Sequence, residues 1–119
     1  MNAISLPDMD GHWLDVGALE EIPARGARVV RTKRGDVAVF RTADDRIFAL
    51  DDRCPHLGGP LSQGIVQAEG VTCPLHNWVI SLESGQAQGQ DHGCARTVAA
   101  RLDQGRIYLA RADLLDREG

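Results

Sequence analysis

Cys54-Pro55-His56 and Cys73-Pro74-Leu75-His76 put two thiols and two imidazoles into two short segments, with sixteen residues between them. Thiolate and neutral imidazole are ligands for zinc and for iron-sulfur clusters, and two of each complete a four-ligand set. Zinc sites generally supply each half as a like pair, Cys-x-x-Cys or His-x-x-x-His. Here each half mixes Cys with His, and a Pro follows each Cys. The mixture favours a 2Fe-2S cluster with both imidazoles on one iron. A zinc-stabilised, non-redox interaction module is the competing reading. A cluster with two neutral imidazoles sits at a higher potential than one with four negative thiolates, so the donor set predicts electron transfer.

Such a cluster needs ligands delivered from opposite sides and backbone N–H groups aimed at its sulfurs, which two Gly-rich loops can supply. Gly58, Gly59 and Gly64 are expected to give close backbone approach and positive φ in the first loop. Pro55 and Pro74 stiffen each loop but lack an N–H, so sulfur-directed donors are expected from His56, Leu57, Leu75 and Asn77. Leu57, Pro60, Leu75 and Trp78 are expected to shield the centre from water, with plain core packing as the equal alternative for Trp78. His12 and His92 lack ligand spacing; His12 reads as a surface residue, while His92 lies where it could touch the cluster loops or a partner. Cys94 is expected to be a small buried apolar group.

The elements that must carry these loops read as strands. Apolar or β-branched runs at Arg28 to Arg31, Val37 to Arg41, Ile47 to Leu50, Gly64 to Gln67, Val71 to Cys73, Trp78 to Ser81, Ala95 to Arg101 and Arg106 to Ala110 are bounded by Gly, Asp or Pro. Residues 33–36, 42–46 and 103–105 read as hairpin connections. Only Val16 to Glu21 and Arg111 to Arg117 could form short helical turns. The pattern is all-β, with the two ligand loops forming a subdomain from about residue 53 to 83.

At 119 residues and 43% apolar content the chain reads as one domain, 1–119, with one modest core, a size that gains from a bound metal or a partner. Net charge is −4 and no long Lys/Arg run occurs, which argues against nucleic acid as a partner. No apolar stretch approaches about 18 residues, and the start shows no basic-then-apolar leader, so no membrane partner and a cytoplasmic location are expected. With three cysteines, two of them claimed as ligands, no disulfide framework can form beside the cluster. No Gly-x-Gly-x-x-Gly follows a strand, so flavin or nicotinamide would have to bind elsewhere, and no nucleophile or acid-base arrangement stands out.

The ligand skeleton Cys54-Pro-His56 … Cys73-Pro-Leu-His76 resembles a Rieske 2Fe-2S domain. The resemblance implies an antiparallel β sandwich or barrel base with an inserted two-loop cluster-binding subdomain. It also implies Cys54 and Cys73 on one iron, His56 and His76 on the other, and Leu57, Gly58, Gly59, Pro60, Leu75, Asn77 and Trp78 around them. The segments GGPLSQGIV (Gly58 to Val66), PLHNW (Pro74 to Trp78) and DHGC (Asp91 to Cys94) are similar to the small subunit of assimilatory NADH-dependent nitrite reductases. That implies a non-catalytic electron-transfer subunit serving reduction of nitrite to ammonium in nitrate assimilation, with FAD, 4Fe-4S and sirohaem on a separate large subunit. Some members of that branch keep the fold without the ligands, which leaves a role in assembly or tuning open. The alternative is a stand-alone Rieske ferredoxin between a flavin reductase and an oxygenase.

Respiratory Rieske domains carry a loop-bridging disulfide and a Ser after the second ligand His. The matching places here look to be Gly59 and Leu75, and Asn77-Trp78 follows His76. Fewer hydroxyl donors imply a potential in the lower half of the Rieske range of about −150 to +300 mV. By the same resemblance the ligand imidazoles keep one nitrogen near the surface, which links electron uptake to protons and makes His56 and His76 the electron exit.

Overall fold

The computed structural model describes residues 13–32, 35–54, 59–74, 78–88 and 93–110. Val37, Ala38, Val39 and Phe40 are four consecutive residues with no exposed surface, which in an alternating strand means burial on both faces. The strand that holds them, β3 (Gly35–Arg41), lies inside a four-stranded sheet of order β2 (Ala27–Thr32), β3, β4 (Ile47–Asp51), β8 (Thr97–Val98). A second sheet has the order β1 (Trp13–Ala18), β10 (Arg106–Ala110), β9 (Ala100–Asp103), and a third runs β5 (Ile65–Gln67), β6 (Gly70–Thr72), β7 (Val79–Ser81). Every strand pair is antiparallel. The protein is almost all β, as expected.

The two faces of β3 feed two cores. Val37 and Val39 join Ile22, Ala49, Val98, Ile107 and Leu109, which bring in the β1-β10-β9 sheet. Ala38 and Phe40 join Leu50, Leu61, Val66, Val71, Ile80, Leu82 and Ala95, together with Cys54 and Cys73. Burying a side chain the size of Phe40 or Leu50 contributes about 1.5–3 kcal/mol. The second core therefore stabilises the sheets and surrounds both candidate thiols.

Three expected elements differ. Val16 to Ala18 is strand rather than helical turn, because it pairs with Arg106–Ala110; only Leu19–Glu21 turns, as a 3-10 segment. The register shifts between Asp15 and Gly17, where Gly17 takes φ +131°, so β1 carries a bulge. The run Ala95 to Arg101 is not one strand: Thr97 and Val98 pair with β4, the chain changes sheet at Ala99, and Ala100 onward pairs with β10. In the expected hairpin at 33–36, Gly35 and Asp36 already belong to β3, and Lys33 and Arg34 lie outside the described residues. Arg111 to Arg117 lies outside them too. Among the described residues no helix is long and apolar enough to cross a membrane.

Candidate metal centre

Cys54 lies three residues beyond β4, and Cys73 directly follows β6. Cys54 is 3% exposed and Cys73 has no exposed surface, and no disulfide joins them. Their loops close alike. The Cys54 N–H donates to the Gly59 carbonyl at 2.7 Å, and the Cys73 N–H donates to the Trp78 carbonyl at 2.7 Å, each acceptor five residues ahead. Both cysteine N–H groups are thereby committed to loop closure. With Pro55 and Pro74 lacking an N–H, backbone donors to the sulfurs have to come from further along each loop.

The strand pair under the loops is close-packed. A methyl group on Gly64 would lie 2.2 Å from the Thr72 carbonyl oxygen, so this glycine is required by close approach of β5 to β6. Its φ is −81°, so the expected positive φ is not its reason. Gly59 is buried and Pro60 beside it is exposed. Trp78 is half-buried and packs against the core that holds the cysteines, which fits its core-packing reading. His56, Leu57, Gly58, Leu75, His76 and Asn77 lie outside the described residues, as do His12 and His92.

Cys94 is exposed, which corrects the expectation of a buried thiol. It forms an isolated bridge with Gln86, and period-two alternation sends its neighbour Ala95 inward instead. Gly85 leaves room for that turn: a methyl there would lie 2.0 Å from the Ala95 carbonyl oxygen, and its φ is +78°.

Two residues at the root of the first loop carry no motif in the sequence. Asp52 accepts from the Ser62 N–H through Oδ1 at 2.6 Å and from the Ser62 hydroxyl through Oδ2 at 2.8 Å. Asp52 and Ser62 stand ten residues apart with no helical or strand periodicity to link them, so spacing alone gave no signal.

Two buried thiols in one apolar core, outside any disulfide and at the roots of two loops closed in the same way, fit the thiolate side of a 2Fe-2S centre. Comparison with known proteins agrees. The model of the Rieske [2Fe-2S] domain matches residues 12–99. A 4beta-methylsterol monooxygenase of Methylococcus capsulatus is 32% identical over 102 residues, 84% of this chain, yet this chain spans only 25% of that relative's length. The 3-phenylpropionate/cinnamic acid dioxygenase ferredoxin subunit of Photorhabdus laumondii is 40% identical over 75 residues, 62% of this chain and 70% of that one. A crystal structure assigned as the NADH-dependent nitrite reductase small subunit of Mycobacterium tuberculosis superposes with TM-score 0.75 and 25% identity, covering 83% of this chain and 94% of that chain. A matching domain model over most of the chain, an all-β fold and the two buried thiols lead to one conclusion: this chain belongs to the Rieske [2Fe-2S] domain family, and its cofactor is a Rieske-type 2Fe-2S cluster.

Proposed function

We propose that the chain is the electron-transfer subunit of an NADH-dependent nitrite reductase, with Cys54 and Cys73 ligating one iron and His56 and His76 the other. The observation that carries this reading is the near end-to-end likeness to the M. tuberculosis small subunit, 83% of one chain on 94% of the other at 25% identity. The segments 58–66, 74–78 and 91–94 support it independently. The outer row of the third sheet, Ile65 paired to Thr72 and Thr72 to Val79, is exposed at both apolar ends, with Ile65 61% exposed. A permanently held subunit has such surface to bury, whereas a shuttle must release.

When bound, the cluster supplies a single-electron carrier. The chain's own contribution is placement. Cys54 and Cys73 keep the thiolate side in a core lined by Phe40, Leu50, Leu61 and Val71, which excludes water and lowers the local dielectric. The equal closures at Gly59 and Trp78 hold both segments at their roots, so little rearrangement accompanies a change of charge. Reduction of nitrite to ammonium falls to the partner that carries FAD and sirohaem.

The second reading, a ferredoxin that delivers electrons to an oxygenase, is favoured by the 40% identity to the dioxygenase ferredoxin subunit. Purification from the native host separates the two. The proposal expects a stoichiometric complex with a sirohaem- and FAD-containing chain, and reduced protein that is reoxidised by that chain only when nitrite is present. Isolation as a lone carrier that is reoxidised by an oxygenase and its substrate would reject it.

A further inference from the structure

The two ligand loops close alike at their cysteines but are supported differently one step further out. The second loop is carried by a hairpin: Thr72, just before Cys73, pairs with Val79, just after Trp78, in the β6-β7 ladder. The first loop leaves β4 in one sheet and enters β5 in another, so among the described residues no ladder pairs its two ends with each other. The Arg53 N–H is turned back to the Asp51 carbonyl at 2.8 Å, and Pro60 has no N–H to offer. The next residues outward are Asp52 and, past Leu61, Ser62.

We infer that the Asp52 carboxylate, by gripping the N–H and hydroxyl of Ser62, is a positioning clamp that does for the first ligand loop what the β6-β7 ladder does for the second. Both carboxylate oxygens are used, at 2.6 and 2.8 Å, and both bonds are charge-assisted. Ser62 lies in the first turn of the 3-10 segment Leu61–Gln63, where an N–H lacks a partner within the helix and is available to an outside acceptor. Each end of the clamp is anchored. The Asp52 N–H donates to the Asp36 carbonyl of β3 at 3.0 Å, and Leu61, adjacent to Ser62, has no exposed surface. The path Asp36–Asp52–Ser62–Leu61 thus ties the loop that carries Cys54 and His56 to both the central sheet and the core. The inference rests on the reading of Cys54 and His56 as ligands.

The test uses anaerobically purified, cluster-loaded protein and two readouts: the rate of cluster release to an iron chelator, and the EPR line shape of the dithionite-reduced protein. Loss of bonds to a charged group predicts release about tenfold faster in Asp52→Ala, with broadened EPR features. Ser62→Ala keeps the N–H bond and should give a smaller acceleration in the same direction. Asp52→Asn offers a carbonyl to the N–H and an amide to the hydroxyl oxygen, and should restore the wild-type line shape and release rate. Val98→Ala, in the opposite core, should lower the melting temperature without changing either readout. Wild-type behaviour in both Asp52→Ala and Ser62→Ala overturns the clamp, as does Val98→Ala accelerating release as much as Asp52→Ala. If Asp52→Ala does not fold, unchanged release in Ser62→Ala alone overturns it. Cys54→Ala, which offers iron no donor atom, separates the two claims. Cluster loss in Cys54→Ala with silent clamp variants sinks the clamp alone, whereas an intact cluster in Cys54→Ala sinks the ligand reading and the clamp with it.

Discussion

Cys54 and Cys73 sit in one core with matched loop closures, and the two imidazoles one and two residues beyond their prolines complete the proposed ligand set. Exchanging one imidazole for a thiolate adds a negative charge to the centre. A cluster retained in His56→Cys should therefore move down toward about −400 mV, the range of four-cysteine centres. An unchanged midpoint in a potentiometric titration would remove His56 from the ligand set. Gly64 makes a different claim, because any side chain there meets the Thr72 carbonyl. Gly64→Ala should lower stability by about 1–3 kcal/mol in urea unfolding, and wild-type stability would contradict the close approach. The two cysteines stand out in the sequence by residue type and spacing together, while their burial in one core is a property of the fold. Cys94 was misread because residue type favours burial while only the register opposite Gln86 decides which way the side chain faces. The Asp52–Ser62 contact left no trace in sequence, since it depends on how a loop between two sheets folds back.

Strand β3 divides its alternate residues between two cores, so neighbouring truncations should have separable effects. Phe40→Ala should cost about 3–5 kcal/mol and open the core that holds Cys54 and Cys73. Val39→Ala should reduce stability while leaving the cluster's absorption spectrum unchanged. Equal spectral perturbation by both would contradict the two-core arrangement; unfolding curves and visible absorption check it together. Local turns were legible: Gln104 and Gly105 take φ of +52° and +80°, the conformation that a tight hairpin between β9 and β10 requires. β1 was not, because its pairing with β10 joins residues as distant as Trp13 and Ala110, and a bulge at Gly17 interrupts its alternation. The break at Ala99 was equally hidden, since Ala95 to Arg101 keeps a strand-like composition through the change of sheet.

Across the whole molecule, the third sheet is joined to the rest by the shared core and by a few polar ties. Arg25 Nε donates to the Val66 carbonyl at 3.0 Å, and Arg46 pairs with Glu69 at 2.7 Å. The second tie is solvent-exposed and screened by water, so the core dominates. Several carboxylates give the fold an acid limit. Partial burial pushes the Asp15 carboxyl up, but donation from Arg106 and from the Gly17 N–H outweighs it and holds the group below the ordinary carboxylate range. The Ala18 N–H and then Arg28 do the same for Glu21, and the Thr42 hydroxyl and then Arg46 for Asp44. A group with a depressed folded pKa stabilises the protein above its unfolded pKa and loses that contribution as pH falls through its folded one. The melting temperature of the metal-free protein should therefore fall below about pH 4, and Asp15→Asn should lower it at pH 7 while flattening the acid decline. A melting temperature that rises on acidification would contradict this. The proposed cluster has two thiolate and two imidazole ligands and a potential in the lower half of the Rieske range. A potentiometric EPR titration of the anaerobically purified protein, with nitrogen couplings read from the reduced signal, should give two coordinated imidazole nitrogens and a midpoint between about −150 and +75 mV. A colourless zinc protein, a signal without nitrogen coupling, or a midpoint above about +150 mV would contradict it.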